Sequence, residues 1–146
     1  MLSWWSLVRF VHVVSAMLWV GGQLSISLMV LPVARQLLRV EDRGPVLSAV
    51  GRRFGIFTVA AFLPLQVGSG LLLAWHKGVT FSSLSDPGYG RTLAAKLVAF
   101  ALVMAAAGGH GWAMGTKRQA FARSLAIASL IGSLAIVALA TALPQT

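Results

Sequence analysis

Residues 54–75 read FGIFTVAAFLPLQVGSGLLLAW, a run without a single charged side chain. At about 1.5 Å per residue it covers roughly 33 Å as an α-helix, enough to cross the ~30 Å hydrocarbon core of a bilayer. Three further stretches read the same way, Trp5 to Val33, Thr92 to Met114 and Phe121 to Leu143. The pattern predicts an all-α, polytopic membrane four-helix bundle forming a single transmembrane domain over residues 1–146. Composition agrees: 58% of the residues are apolar and 10% charged, with a mean hydropathy of +0.83. Four spans and their loops leave no room for a soluble catalytic domain.

The first stretch reads as a retained helix rather than a cleaved leader. It carries no charge between Arg9 and Arg35 and lacks a small-x-small cleavage site. Between the first two spans lies the longest polar segment, 34–53, around a Gly44-Pro45 break, where amphipathic helix extensions are expected. The second loop, 75–91, holds Gly78, Asp86-Pro87-Gly88 and Gly90 as turn residues, and the third, 115–120, is tight.

Twelve Lys and Arg against three acidic residues give a net charge of +9. The cations fall between the apolar runs, so they set topology and do not point to nucleic acid. Arg35, Arg39, Arg43, Arg52, Arg53, Lys117, Arg118 and Arg123 lie on the side of the first and third loops. Arg9, Lys77, Arg91 and Lys96 lie on the other. The positive-inside rule then predicts cytoplasmic first and third loops and both termini outside, in the inner (plasma) membrane of a bacterium. Trp4, Trp5, Trp75 and Tyr89 fit an aromatic belt at the outer ends, and Pro144-Gln145-Thr146 a short outer tail.

With no cysteine, disulfides, iron–sulfur clusters and thiolate metal sites are excluded. His12 enters the membrane about two turns into the first span, and Ser15, Trp19, Gly22 and Gln23 share its face. A polar group at that depth is costly unless it faces a partner inside the protein. Lys96, about one turn into the third span, reaches a similar depth, where it either snorkels outward on its long stem or binds a metal as a neutral amine. His76 closes the second span beside Lys77 and reads either as a solvated end residue or as a third ligand. His110 lies fourteen residues beyond Lys96, about 21 Å deeper, and cannot join the same site. Among Gly108, Gly109 and Gly111 it reads equally as a packing residue with one hydrogen bond and as a ligand.

Met17, Met29, Met104 and Met114 form no ladder, so copper transport has little support from ligand chemistry. Haem has more. It needs two axial bases at one depth, small residues around them and cations for its propionates. His12 with Lys96 or His76, the glycines, and Arg9 and Arg91 supply these, with Trp19 on the His12 face.

Three strings carry a resemblance to known families: HVVSAMLWVGG from His12, RRFGIFTVAAFLPLQVGSGLLLAW from Arg52, and YGRTLAAKL from Tyr89. They resemble the membrane domain of the copper-resistance protein D (CopD) family. Their order, with a late histidine in the third span, also resembles the HemJ-type protoporphyrinogen oxidases. The HemJ-type resemblance implies a b-type haem held by the matching His12 and Lys96. It further implies oxidation of protoporphyrinogen IX or electron exchange with a quinone. The segment VGGQLSISLMVLPVAR from Val20 departs toward the copper-resistance pattern, which favours the haem expectation over any particular substrate. The alternatives are a copper-transport or copper-resistance protein without enzymatic activity, and a structural subunit of a larger membrane complex. Small-residue faces, Gly68 with Gly70 and Gly108 with Gly109, lead to the further expectation of a homo-oligomer in the lipid bilayer.

Overall fold

A computed structural model describes residues 3–142, and among them there is no strand. The chain forms α1 (Trp4–Ser25), α2 (Leu31–Leu37), α3 (Val40–Phe57), α4 (Leu63–His76), α5 (Tyr89–Gly115) and α6 (Gln119–Ala142). Short π-helical turns, Ile26–Val30 and Thr58–Phe62, join α1 to α2 and α3 to α4 without interrupting either rod. Four helices, Trp4–Leu37, Val40–His76, Tyr89–Gly115 and Gln119–Ala142, are therefore long and apolar enough to cross a membrane. At most 17% of the most apolar window of any of them is buried by the protein itself. Leu71, Ile131, Leu134 and similar side chains point outward. Helices of this composition hide such surface in lipid. Leu143 and the tail Pro144-Gln145-Thr146 lie outside the described residues.

The helical extensions expected within 34–53 are present, and they lengthen the first two spans to 34 and 37 residues. At about 1.5 Å per residue these rods run to roughly 50–55 Å, so their arginine-bearing ends project past the ~30 Å of hydrocarbon. The interruption, however, is at Leu38 and Arg39, both extended, and not at Gly44-Pro45. Glu41 and Asp42 occupy the first turn of α3, where carboxylates favour a helix start. Arg43 Nε donates to the Leu38 carbonyl at 3.1 Å and closes the elbow. Pro45 sits inside α3. The N–H it lacks would have served the carbonyl of exposed Glu41, which solvent can satisfy.

Each π-helical turn is followed at once by Leu-Pro, Leu31-Pro32 and Leu63-Pro64. The N–H of Leu31 reaches the carbonyl of Ile26, and that of Leu63 the carbonyl of Thr58. Widening the turn by one residue draws the carbonyls away from the proline ring that would otherwise strike them, so both helices continue.

The helices group into two compact units that divide between Gly78 and Val79. In the first, α1 packs antiparallel on α4 and the π-helical turn before it, through Val8, Trp19 and Phe62. In the second, α5 and α6 form a hairpin closed by Thr116, Lys117 and Arg118, with Lys117 at a φ of 59°. Small residues let these two helices approach closely: Ala113, Ala122, Ser129 and Ser133 are buried, and a Cβ on Gly132 would strike the Val103 side chain. Before α5, a Cβ on Gly90 would meet the Ser83 carbonyl oxygen, so the 3₁₀ turn at Ser82–Ser85 folds against the helix start only over a glycine.

Candidate functional site

Trp5, Val8, His12, Ser15 and Trp19 recur every three to four residues along α1, the spacing of one helical face. Within the first unit that face meets α4 and its π-helical turn, and it carries a chain of polar contacts. His12 Nδ1 lies 2.8 Å from Ser69 Oγ, and His12 Nε2 lies 3.2 Å from the Gln66 side-chain nitrogen. Ser15 Oγ donates to Gln66 Oε1 at 2.6 Å and reaches its own helix at the His12 carbonyl, 3.0 Å away. Ser15 and Ser69 are buried, and His12 and Gln66 are half-buried.

The donors assign the imidazole tautomer. Ser69 has one hydroxyl hydrogen, and it is directed at the carbonyl of Leu65 one turn back. Its oxygen therefore accepts from His12, whose proton sits on Nδ1. Nε2 then bears the lone pair and accepts an N–H from Gln66, whose own oxygen is taken by Ser15. Anchoring one imidazole nitrogen through its N–H is the arrangement that orients a histidine whose other nitrogen binds a metal. Gly70 leaves the flank of the ring clear, since a Cβ there would come within 3.2 Å of His12 Cε1.

One to two turns further on, the Trp19 indole is 2% exposed and stacks on Phe62 with ring centroids 4.8 Å apart. Thr58 donates to the Phe54 carbonyl, so its oxygen is free to accept the indole N–H at 3.0 Å. The π-helical turn supplies both Thr58 and Phe62, and so sets the packing of Trp19. At the opposite end of the unit, exposed His76 stacks on Trp5 with centroids 3.8 Å apart. Arg9 is exposed on α1.

Lys96 and Arg91 belong to the second unit. Lys96 is half-buried on α5, and no ion pair among the described residues involves it. Arg91 is exposed and donates through Nε to the Ser85 carbonyl at 3.2 Å, tying the 3₁₀ turn to the start of α5. His110 Nδ1 donates to the Ala122 carbonyl of α6 at 2.8 Å, a packing bond within the hairpin. The glycines expected to serve association between copies differ in what lies beside them within the chain. Gly70 faces His12 and Gly109 faces Leu125, whereas Gly68 and Gly108 border open space.

The site thus contains Gln66, Ser69 and Thr58, which the reading of the sequence did not select. Their signal was present as three polar side chains in an otherwise apolar span, Gln66 and Ser69 one turn apart. Among the described residues no three His, Cys, Asp or Glu side chains gather as a metal-binding group. A macrocycle that brings its own four nitrogens needs no such group, only single side chains as axial bases, and His12 has the chemistry of one such base.

No protein-family model matches the chain, and no solved structure matches it. An uncharacterized protein of Aquifex aeolicus (strain VF5) is 31% identical over 137 residues, which cover 90% of this chain and 89% of the relative. The likeness runs over nearly the full length of both, and the chain belongs to the same family as this Aquifex protein.

Proposed function

We propose that this protein is a haem b-binding membrane redox protein with His12 as an axial base. One arrangement carries the reading: Ser69 gives its hydroxyl hydrogen to the Leu65 carbonyl and lies 2.8 Å from His12 Nδ1, which assigns the ring proton to Nδ1 and makes Nε2, hydrogen-bonded to Gln66, the metal-binding atom of a half-buried imidazole inside an apolar helix pair. Haem, when bound, would supply one-electron chemistry at its iron. The chain's residues would do the rest. Ser69 orients the ring, Gly70 leaves its flank open, and Trp19 with Phe62 closes the neighbouring layer with apolar surface that keeps water out. Lys96 as the second base, and protoporphyrinogen IX or a quinone as the reacting partner, enter through the resemblance to the HemJ-type enzymes.

An imidazole lone pair also suits copper, so the deciding measurement is an optical spectrum with metal analysis on protein purified in mild detergent. A Soret band that shifts on reduction, with iron in the preparation, is the expected result. Copper without a Soret band would overturn it in favour of a copper-handling protein.

The same reading places His12 toward the outer face of a bacterial inner membrane, because the basic residues concentrate on the first and third loops. A reporter fused after Gln145 should then read as external, and one inserted near Arg43 as cytoplasmic. The reverse pattern would move the site to the other face.

A further inference from the structure

We infer that Gln66 is a place-holder for the ligand of His12, occupying the imidazole lone pair until iron takes it. The inference rests on the haem reading and adds a residue to it. His12 has two ring nitrogens. Nδ1 gives its hydrogen to Ser69, and Nε2 receives one from Gln66 at 3.2 Å. Any metal bound through Nε2 must therefore displace the Gln66 amide. The exchange is balanced: an N–H to N hydrogen bond breaks, a nitrogen-to-iron bond forms from the same lone pair, and neither a proton nor an electron changes hands.

The surroundings make the exchange local. Gln66 is held at the other end by Ser15, 2.6 Å from its oxygen, and Ser15 keeps a second acceptor in the His12 carbonyl at 3.0 Å. When Gln66 turns away, Ser15 is not stranded, and the Ser69 bond that orients the ring is untouched. The binding-competent form is the fraction of molecules in which Gln66 has let go. Its scarcity lowers apparent affinity by the same factor. For one neutral hydrogen bond that factor is on the order of fivefold.

Two substitutions separate this role from simple packing. Gln66→Leu removes the donor, so it should bind haem about fivefold more tightly with unchanged absorption maxima, His12 remaining the ligand. Gln66→Glu keeps the size and reverses the polarity. A carboxylate accepts where the amide donates, so it favours a ring with hydrogen on Nε2, the atom iron needs bare, and affinity should fall several-fold. The test uses the full-length chain, produced under haem limitation and titrated in mild detergent with ferric haem. The ¹⁵N shifts of His12 in the haem-free protein report which nitrogen carries hydrogen.

Opposite shifts for the two variants, with Nε2 unprotonated in the wild type and protonated in Gln66→Glu, support the place-holder. Equal or weaker binding by Gln66→Leu at unchanged absorption maxima overturns it and leaves Gln66 a packing residue. Should Gln66→Leu fail to accumulate in the membrane, Gln66→Glu with wild-type affinity overturns it equally. A wild type that takes up no ferric haem overturns the haem reading itself, whereas haem uptake with insensitive Gln66 variants overturns only the role of Gln66.

Discussion

His12→Ala should leave a membrane-inserted protein that has lost its haem, with affinity down on the order of 100-fold or more. Removing even a group that only orients a metal ligand costs 10–100-fold, and losing the ligand itself costs at least that. Insertion should survive, because it depends on the apolar length of Trp4–Leu37 and not on one imidazole. The local network survives as well. Ser69 still donates to the Leu65 carbonyl and Ser15 still donates to Gln66, while the Gln66 amide loses its acceptor and the Ser69 oxygen loses the N–H it accepted. An orphaned amide of this kind costs about 1–3 kcal/mol, which a helix pair anchored by Trp19 and Phe62 tolerates. Absorption spectra of wild type and variant at matched protein concentration decide the matter, and free imidazole added to His12→Ala should restore part of the Soret band. A full haem complement with an unchanged spectrum in the variant would reduce His12 to a structural residue.

Lys96 distinguishes a ligand from a snorkelling side chain, because two substitutions order themselves oppositely under the two roles. As a ligand, Lys96→Met should retain haem, alter the spectrum and raise the reduction potential, since a thioether favours ferrous iron more than an amine does. Lys96→Arg should fail at the same site despite keeping the charge. A guanidinium has no lone pair to give and does not deprotonate at working pH. Its haem affinity should drop on the order of tenfold or more as one axial bond is lost. A snorkelling lysine reverses the order, because arginine snorkels as well and methionine does not. Lys96→Arg with wild-type haem content, spectrum and potential would sink the assignment and leave His76, stacked on Trp5 at the end of α4, as the remaining candidate on that side.

What could be read from the chain depends on whether its cause is local. The spans were legible because transfer into hydrocarbon sums residue by residue, so 54–75 announces itself without reference to any other part of the molecule. Their extension through 34–53 was legible in outline, as helix. The position of the interruption was not, because Pro45 looks like a breaker in any window. Whether it breaks depends on what the freed carbonyl of Glu41 can bond to. His12 stood out for the same local reason as the spans, as a polar group where apolar surface is demanded.

Its partners did not stand out. Ser69 is 57 positions away from His12, Gln66 is 54, and Thr58 is 39 from Trp19. Which α4 residues face α1 is set by the antiparallel register of the two helices and by the extra residue in the π-helical turn before Pro64, and no sequence window contains either. The sequence alone determined the class, four apolar helices in a bilayer, because the solvent acts on each residue separately. Only the tertiary structure decided the tautomer of His12 and the occupant of its lone pair, because a hydrogen bond requires two groups within about 3 Å, and packing between distant segments brings them there.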